Sequence, residues 1–223
     1  MNIRGLSSEK VWDYENGFLW FSDYNRLAKQ IAHWELYKKT LKIPGDIVEV
    51  GVFKAASLTS WGTFREICGN DLSSKIIGFD TFSEFPIQST ASKEDKEFVE
   101  NFSNSNGGNA LDISEVKQIM NEKKFINYEL IKGDIVRTIP KYLKDNPQTR
   151  ISLLHLDVDI YKPTISTLDN LWNRVSKGGL IIIDDYNSVK GATDAVHDFL
   201  QKENLNHQII KTNYATSPYY IIR

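Results

Sequence analysis

One cysteine in 223 residues, Cys68, leaves no partner for an internal disulfide and points to a reducing compartment. Long apolar runs are equally scarce. No uninterrupted stretch approaches the roughly 20 residues of a membrane-spanning helix, and the opening MNIRGLSSEK lacks the apolar core of a secretory leader. Neither sign of charge dominates, with 27 Lys and Arg against 29 Asp and Glu. That balance argues against a nucleic-acid binder working by phosphate neutralisation. The expectation is a cytoplasmic protein with no membrane or nucleic-acid partner. With 41% hydrophobic and 25% charged residues, the chain reads as one folded domain, long enough to bury a core without disulfides.

Residues 1–22 are aromatic-rich and show no clean period. From Asp23 to about Leu41 the apolar positions Leu27, Ile31, Trp34 and Leu41 follow helical spacing, with Asp23 as the cap, until Pro44-Gly45 breaks the pattern. Five short apolar runs then read as strands: DIVEVG, KIIGFD, NYELIKGD, ISLLHLD and LIIIDD. Helical stretches fall between them, over about 55–69, 114–124 with Ser114 as cap, 137–146, and 162–179 with Pro163 near the start and a Gly pair past the end. One more, GATDAVHDFLQKEN, precedes two final strands, NHQIIKT and SPYYIIR. Alternating strands and helices predict a single α/β, Rossmann-like domain. Its seven-stranded sheet is mostly parallel, ends in an antiparallel hairpin, and carries helices on both faces. The Ser-, Asn- and Gly-rich stretch 83–112 is too long for a plain connection and reads as a lid.

In such a sheet, ligands bind beyond the carboxyl ends of the strands. Every one of the five strands delivers an acid there: Glu49 (just before Gly51), Asp80, Asp134, Asp157, and Asp184 with Asp185. Five independent helix caps or solvated loop acids would be a poor account of that regularity. The first strand–turn–helix, EVGVFKAAS, lacks the G-x-G-x-x-G dinucleotide fingerprint. Gly51 still lets a ligand approach the backbone, and the following helix N-terminus offers free N–H groups to a carboxylate. Asp80 is placed to accept from two ribose hydroxyls. Asp157 and Asp159 together match the D-x-D pair of nucleotide-sugar glycosyltransferases. By alternation, however, Asp159 leans away from Asp157, toward capping the helix near Pro163 or toward solvent.

The series E-x-G-x-x-x-A-x-S (Glu49 to Ser57), GFDTFSEFP, LDVDIYKPT, GGLIIIDDYN and GATDAVHDF, spanning about residues 45–200, resembles the macrocin O-methyltransferase family. These are metal-dependent enzymes that use S-adenosylmethionine (SAM) to methylate sugar hydroxyls. The resemblance implies a class I methyltransferase domain over 45–223, with 1–44 as an acceptor-side cap. It implies Glu49, Gly51 and Ser57 around the amino-acid part of SAM, Asp80 at the ribose and Asp134 near the adenine. Asp157, Asp184 and Asp185 would bind Mg²⁺, and Asp184 would be the base, with Asp185 or His155 as substitutes. A trio of carboxylates suits a hard cation and leaves positions for two vicinal hydroxyls. Related catechol-type enzymes carry a Lys where this chain has Ile160, and Lys162 lies to another side. The family usually has Gly at the position of Ala55, so a methyl there would crowd SAM. The aromatic cluster Trp12, Tyr14, Phe18, Trp20 and Phe21 is expected to pack on the core rather than line an acceptor pocket; if exposed, it would suit a homodimer. The expected activity is Mg²⁺-dependent methyl transfer to a sugar or polyol hydroxyl. The alternatives are a glycosyltransferase and a non-catalytic SAM-binding protein.

Overall fold

A computed structural model of the chain describes residues 1–85, 92–105, 109–214 and 218–223. Strands β1 (Asp46–Val50), β2 (Ile76–Asp80), β3 (Tyr128–Lys132), β4 (Ile151–Leu156), β5 (Val175–Ile183), β6 (Ile210–Lys211) and β7 (Tyr219–Ile222) form one sheet in the order β3-β2-β1-β4-β5-β7-β6. The first five strands pair in parallel; β7 runs antiparallel to both β5 and β6. The chain winds outward from β1 toward β3 and then restarts at β4, so the switch point lies between β1 and β4.

Helices cover both faces, which is why all six residues of β4 and the last five of β5 are buried. On one face α6 (Ile135–Asp145), α7 (Tyr161–Leu171) and α8 (Lys190–Lys202) bring Ile139, Leu168 and Phe199 onto Val48, Leu154 and Ile181. On the other, α2 (Tyr24–Thr40), α3 (Ala56–Ile67) and α5 (Ile113–Glu122) bring Leu36, Trp61 and Val116 onto Ile47, Leu153 and Ile182.

Five expectations change. Residues 1–22 are not irregular: Asn2–Ile3 pairs with Leu6–Ser7, and α1 (Val11–Phe21) follows. Helix α1 buries no residue, so no core contact imposes an apolar period on it. Its aromatics do not pack on the core, since Trp12, Trp20 and Phe21 are 71%, 70% and 83% exposed. Within 83–112 stands α4 (Lys93–Ser105), whose Phe98, Val99 and Phe102 are a stripe too narrow to read against its polar background; residues 86–91 and 106–108 of the expected lid lie outside the described residues. The cap of α5 is Asp112, not Ser114. Its carboxylate accepts from the N–H groups of Ser114 and Glu115 at 2.7 and 3.0 Å, while Glu115 accepts from the Asp112 N–H, a complete capping box. Finally, Gly178 and Gly179 do not terminate α7 but lie inside β5, at a bulge where its pairing with β4 jumps from Ile151–Val175 to Leu153–Leu180.

Helix α4 is fastened to the domain by Asp95. Buried at 4% exposure, it accepts from the Tyr161 N–H at 3.3 Å and so caps α7, whose own N-cap residue, Ile160, supplies no side-chain bond. A Cβ at Gly191 would overlap the Asp95 carboxylate and come within 2.8 Å of the Tyr161 nitrogen. Gly191→Ala should therefore push α4 off, and Asp95→Ala should cost about 1 kcal/mol as a lost cap. Both are expected to raise amide hydrogen exchange over 93–105 while leaving β4 and β5 protected; unchanged exchange in α4 would refute the contact.

Candidate active site

The register of the parallel strands sets the site. Val50 pairs with Leu156 and Leu156 with Ile183, so the residues that follow, Gly51, Asp157 and Asp184, come off the sheet in one row. The ladder continues through them: the Asp157 N–H donates to Val50 O at 2.9 Å and the Asp184 N–H to Leu156 O at 3.0 Å. Gly51 adopts φ 94°, and a Cβ there would overlap the carbonyl oxygen of Asp157. Glycine is thus required for β1 and β4 to end this close together.

Above this row lies a cavity of about 970 Å³, lined by Gly51, Ser57, Asp80, Asp134, Asp157, Asp184 and Asp185 from the sheet edge and by Val99 and Phe102 from α4. Phe18 is the one member of the N-terminal aromatic cluster that reaches it. Ligand atoms of Asp157, Asp184 and Asp185 all lie within 4.8 Å of one another.

Two residues join them unforeseen. Lys29 of α2 reaches in, with its Nζ 2.6 Å from Asp184 Oδ2 and 3.7 Å from Asp157 Oδ2. One lysine in an amphipathic helix carries no sequence signal for this; only the docking angle of α2 places it. Asp159 is the other. It neither caps α7 nor turns to solvent: at φ 61° its side chain lines the cavity and its N–H donates to Asp185 Oδ2 at 3.0 Å. Strand alternation fails for it because β4 has already ended at Leu156.

Crowding shows in the proton affinities. Burial, with Asp184 alongside, pushes Asp157 up to about 6; burial, with Asp157 and Asp184 near, pushes Asp159 up to about 7. Burial beside Asp159 raises Asp185 too. Burial also acts to raise Asp184, but His155 and Lys29 outweigh it and hold that carboxyl well below the ordinary range. For Lys29, the attraction of Asp184 and Asp157 overcomes burial and lifts its pKa.

The other expected residues fall in distinct places. Glu49 is fully buried behind the cavity wall, accepting from Ser57 Oγ at 3.2 Å and facing His155 Nδ1 at 3.3 Å. His155 is held up to about 9 because Asp184 and Glu49 overcome the effect of its burial. Asp80 braces the β1–α3 turn: it accepts from the N–H groups of Val52, Phe53 and Phe82 at 2.7, 3.0 and 2.6 Å, and from Thr81 Oγ at 3.3 Å. Asp134 is the N-cap of α6, accepting from the Val136 N–H at 3.0 Å. Ala55 sits in a left-handed conformation (φ 57°), which explains why glycine suits the position. Its methyl is buried in the core and does not line the cavity.

This sheet order, with β7 inserted antiparallel beside β5, is that of the class I methyltransferase fold. A family model described as macrocin-O-methyltransferase (TylF) matches residues 24–220, and the chain belongs to that family. It is 31% identical over 172 residues to the 8-demethyl-8-(2,3-dimethoxy-alpha-L-rhamnosyl)-tetracenomycin-C 4'-O-methyltransferase of Streptomyces olivaceus, covering 75% of this chain and 62% of that one. It is 30% identical over 175 residues to the demethyldecarbamoylnovobiocin O-methyltransferase of Streptomyces niveus, covering 75% and 63%. The chain therefore spans less than two thirds of the length of these relatives. Among solved structures, the O-methyltransferase NovP superposes with TM-score 0.77 at 22% identity, covering 88% of this chain and 79% of that one. The calicheamicin methyltransferase CalS11 superposes with TM-score 0.68 at 21% identity, covering 97% and 86%. These structural likenesses establish the fold. The glycosyltransferase alternative draws no support from any of these matches.

The Lys29 contact is testable without substrate. Lys29→Met should destabilise the metal-free protein by about 2 kcal/mol, less than a fully buried pair because Lys29 and Asp157 keep 27% and 26% of their side chains exposed. Thermal melts with and without Mg²⁺ should show the ion restoring more stability to the variant than to the parent. Equal melting of the two metal-free proteins would refute the compensating role.

Proposed function

We propose that this chain transfers a methyl group from SAM to a hydroxyl of a sugar or other polyol-bearing small molecule, with Mg²⁺ at Asp157, Asp184 and Asp185. The observation that carries this reading is the convergence of those three carboxylates within 4.8 Å on the wall of a cavity shared with Gly51, Ser57 and Asp80. The donor set fits the ion: carboxylate oxygens are what Mg²⁺ takes, and the Lys29 ammonium already stands between two of them as a substitute cation. When bound, Mg²⁺ would lower the pKa of a coordinated hydroxyl and SAM would supply the electrophilic methyl.

The chain's own residues do the rest. Gly51, Ser57 and the first turn of α3 would receive the amino-acid end of SAM. Asp80 would take the ribose by giving up its contact with Thr81 Oγ, the longest of its four. Asp134 would stand at the adenine end. Val99 and Phe102 of α4 supply an apolar roof that excludes water. We assign the proton-accepting role to Asp159 rather than Asp184. Asp184 has one oxygen on Lys29 and the other turned toward buried histidines, whereas Asp159 opens onto the cavity. A sugar acceptor is supported by the rhamnosyl-tetracenomycin relative, whose name places its methyl on a glycoside.

Calorimetry should find SAM binding in the micromolar range and no binding of dTDP- or UDP-sugars. Methyl transfer to a panel of glycosides with vicinal hydroxyls should stop with EDTA and with Asp185→Asn. Asp159→Asn should lower turnover by about 10²-fold or more while leaving SAM affinity intact. Nucleotide-sugar binding without SAM binding would overturn the reading. SAM binding with no turnover across the panel would favour the non-catalytic alternative.

A further inference from the structure

A second convergence lies beside the acid cluster, at the oxygen of Asp184 that Lys29 does not take. Among the described residues, Nε2 of His33, Nε2 of His155 and Oδ1 of Asp184 are buried atoms without a hydrogen-bond partner, and one ligand atom from each of these residues lies within 4.8 Å of those of the other two. Their residues are 3%, 0% and 8% exposed. Each histidine points its nitrogen at the same oxygen, from 4.0 Å for His33 and 3.8 Å for His155. Three unsatisfied polar atoms in so small a space are costly unless something binds them together.

With Glu49 Oε2 at 3.3 Å from Nδ1, the His155 ring is held with Nε2 directed at Asp184 Oδ1. Tetrahedral ligands bonded at about 2.1 Å to a metal ion stand about 3.4 Å apart, and partners bridged by a water about 4.6 Å apart. The 3.8 and 4.0 Å edges lie between the two values, so a small closing of the side chains brings them onto an ion.

We propose that His33, His155 and Asp184 form a second divalent-metal site, one that takes imidazole-seeking ions of the Zn²⁺, Co²⁺ and Fe²⁺ class in preference to Mg²⁺. Glu49 then completes a carboxylate–histidine–metal arrangement, in which the outer carboxylate fixes the ring's orientation and tautomer. Asp184 bridges, offering Oδ1 here while Oδ2 faces Lys29 and Asp157. Because His33 belongs to α2, His155 to β4 and Asp184 follows β5, an ion at this point ties α2 to the strands β4 and β5. It also locks the carboxylate shared with the cavity. His33 and Asp184 both line that cavity, which gives an ion its way in. The site stands on these atoms alone and does not rest on the methyl-transfer reading.

The test is a Co²⁺ titration of the full chain, stripped with EDTA and held in excess Mg²⁺ to occupy oxygen-only ligands. One equivalent of Co²⁺ should give an intense visible d–d band of the kind nitrogen ligation at low coordination number produces. His33→Asn should weaken that binding by about tenfold or more, and His155→Gln likewise, while Asp157→Asn keeps the band. Zn²⁺ should raise the melting temperature of the parent and not of His33→Asn. His33→Asn carries the test if His155→Gln fails to fold, since His33 sits at the cavity wall. No band in the parent, meaning water or a proton fills the space, would overturn the proposal. So would Co²⁺ binding unchanged in His33→Asn but lost in Asp157→Asn, which would assign the ion to the acid cluster. SAM is absent throughout, so failure of the methyltransferase reading cannot produce either result.

Discussion

Like charge brought together at one edge of a sheet is the condition on which this site turns. Asp157, Asp159, Asp184 and Asp185 crowd one wall of the cavity. Two unit charges 4 Å apart repel by about 4 kcal/mol at the effective dielectric of a protein surface. The fold answers with the Lys29 ammonium, with His155 raised against Asp184, and with protons held on carboxyls that burial and mutual repulsion have raised. Under the proposed reading, a bound cation would take the place of those protons and of the Lys29 contact.

The neighbouring network follows from that crowding. Asp184 is the hinge of the arrangement, facing the cavity with one oxygen and the buried histidines with the other. Through His155 the charge on Asp184 is connected to Glu49, and through Glu49 to Ser57 on the cavity wall. Glu49 stands behind that wall. Its position lets it hold both Ser57, which lines the cavity, and His155, which is buried behind it.

Helix α4 belongs to the folded domain through Asp95. Asp95 does the work expected of Asp159: it caps α7 from another element, which frees Asp159 to enter the cavity. The exchange of roles could not be read from LDVDIYKPT, because a cap supplied from 66 residues away leaves no local mark. The same applies to Lys29, whose neighbours in sequence are ordinary helix residues. Capping by Asp112, in contrast, is written locally in D-I-S-E, where the acid stands three residues before Glu115.

What the sequence determined by itself was the alternation of strands and helices and the acid at the end of each strand. Apolar runs of the right length are buried on both faces only in a parallel sheet, and the parallel ladder then carries Gly51, Asp157 and Asp184 to the same edge. Tertiary structure alone decided which charges meet. That Lys29 lies on Asp184, that His33 faces His155, and that Asp159 turns inward all depend on helix docking angles and on one left-handed residue. Those are set by packing across the whole core rather than by any residue's near neighbours.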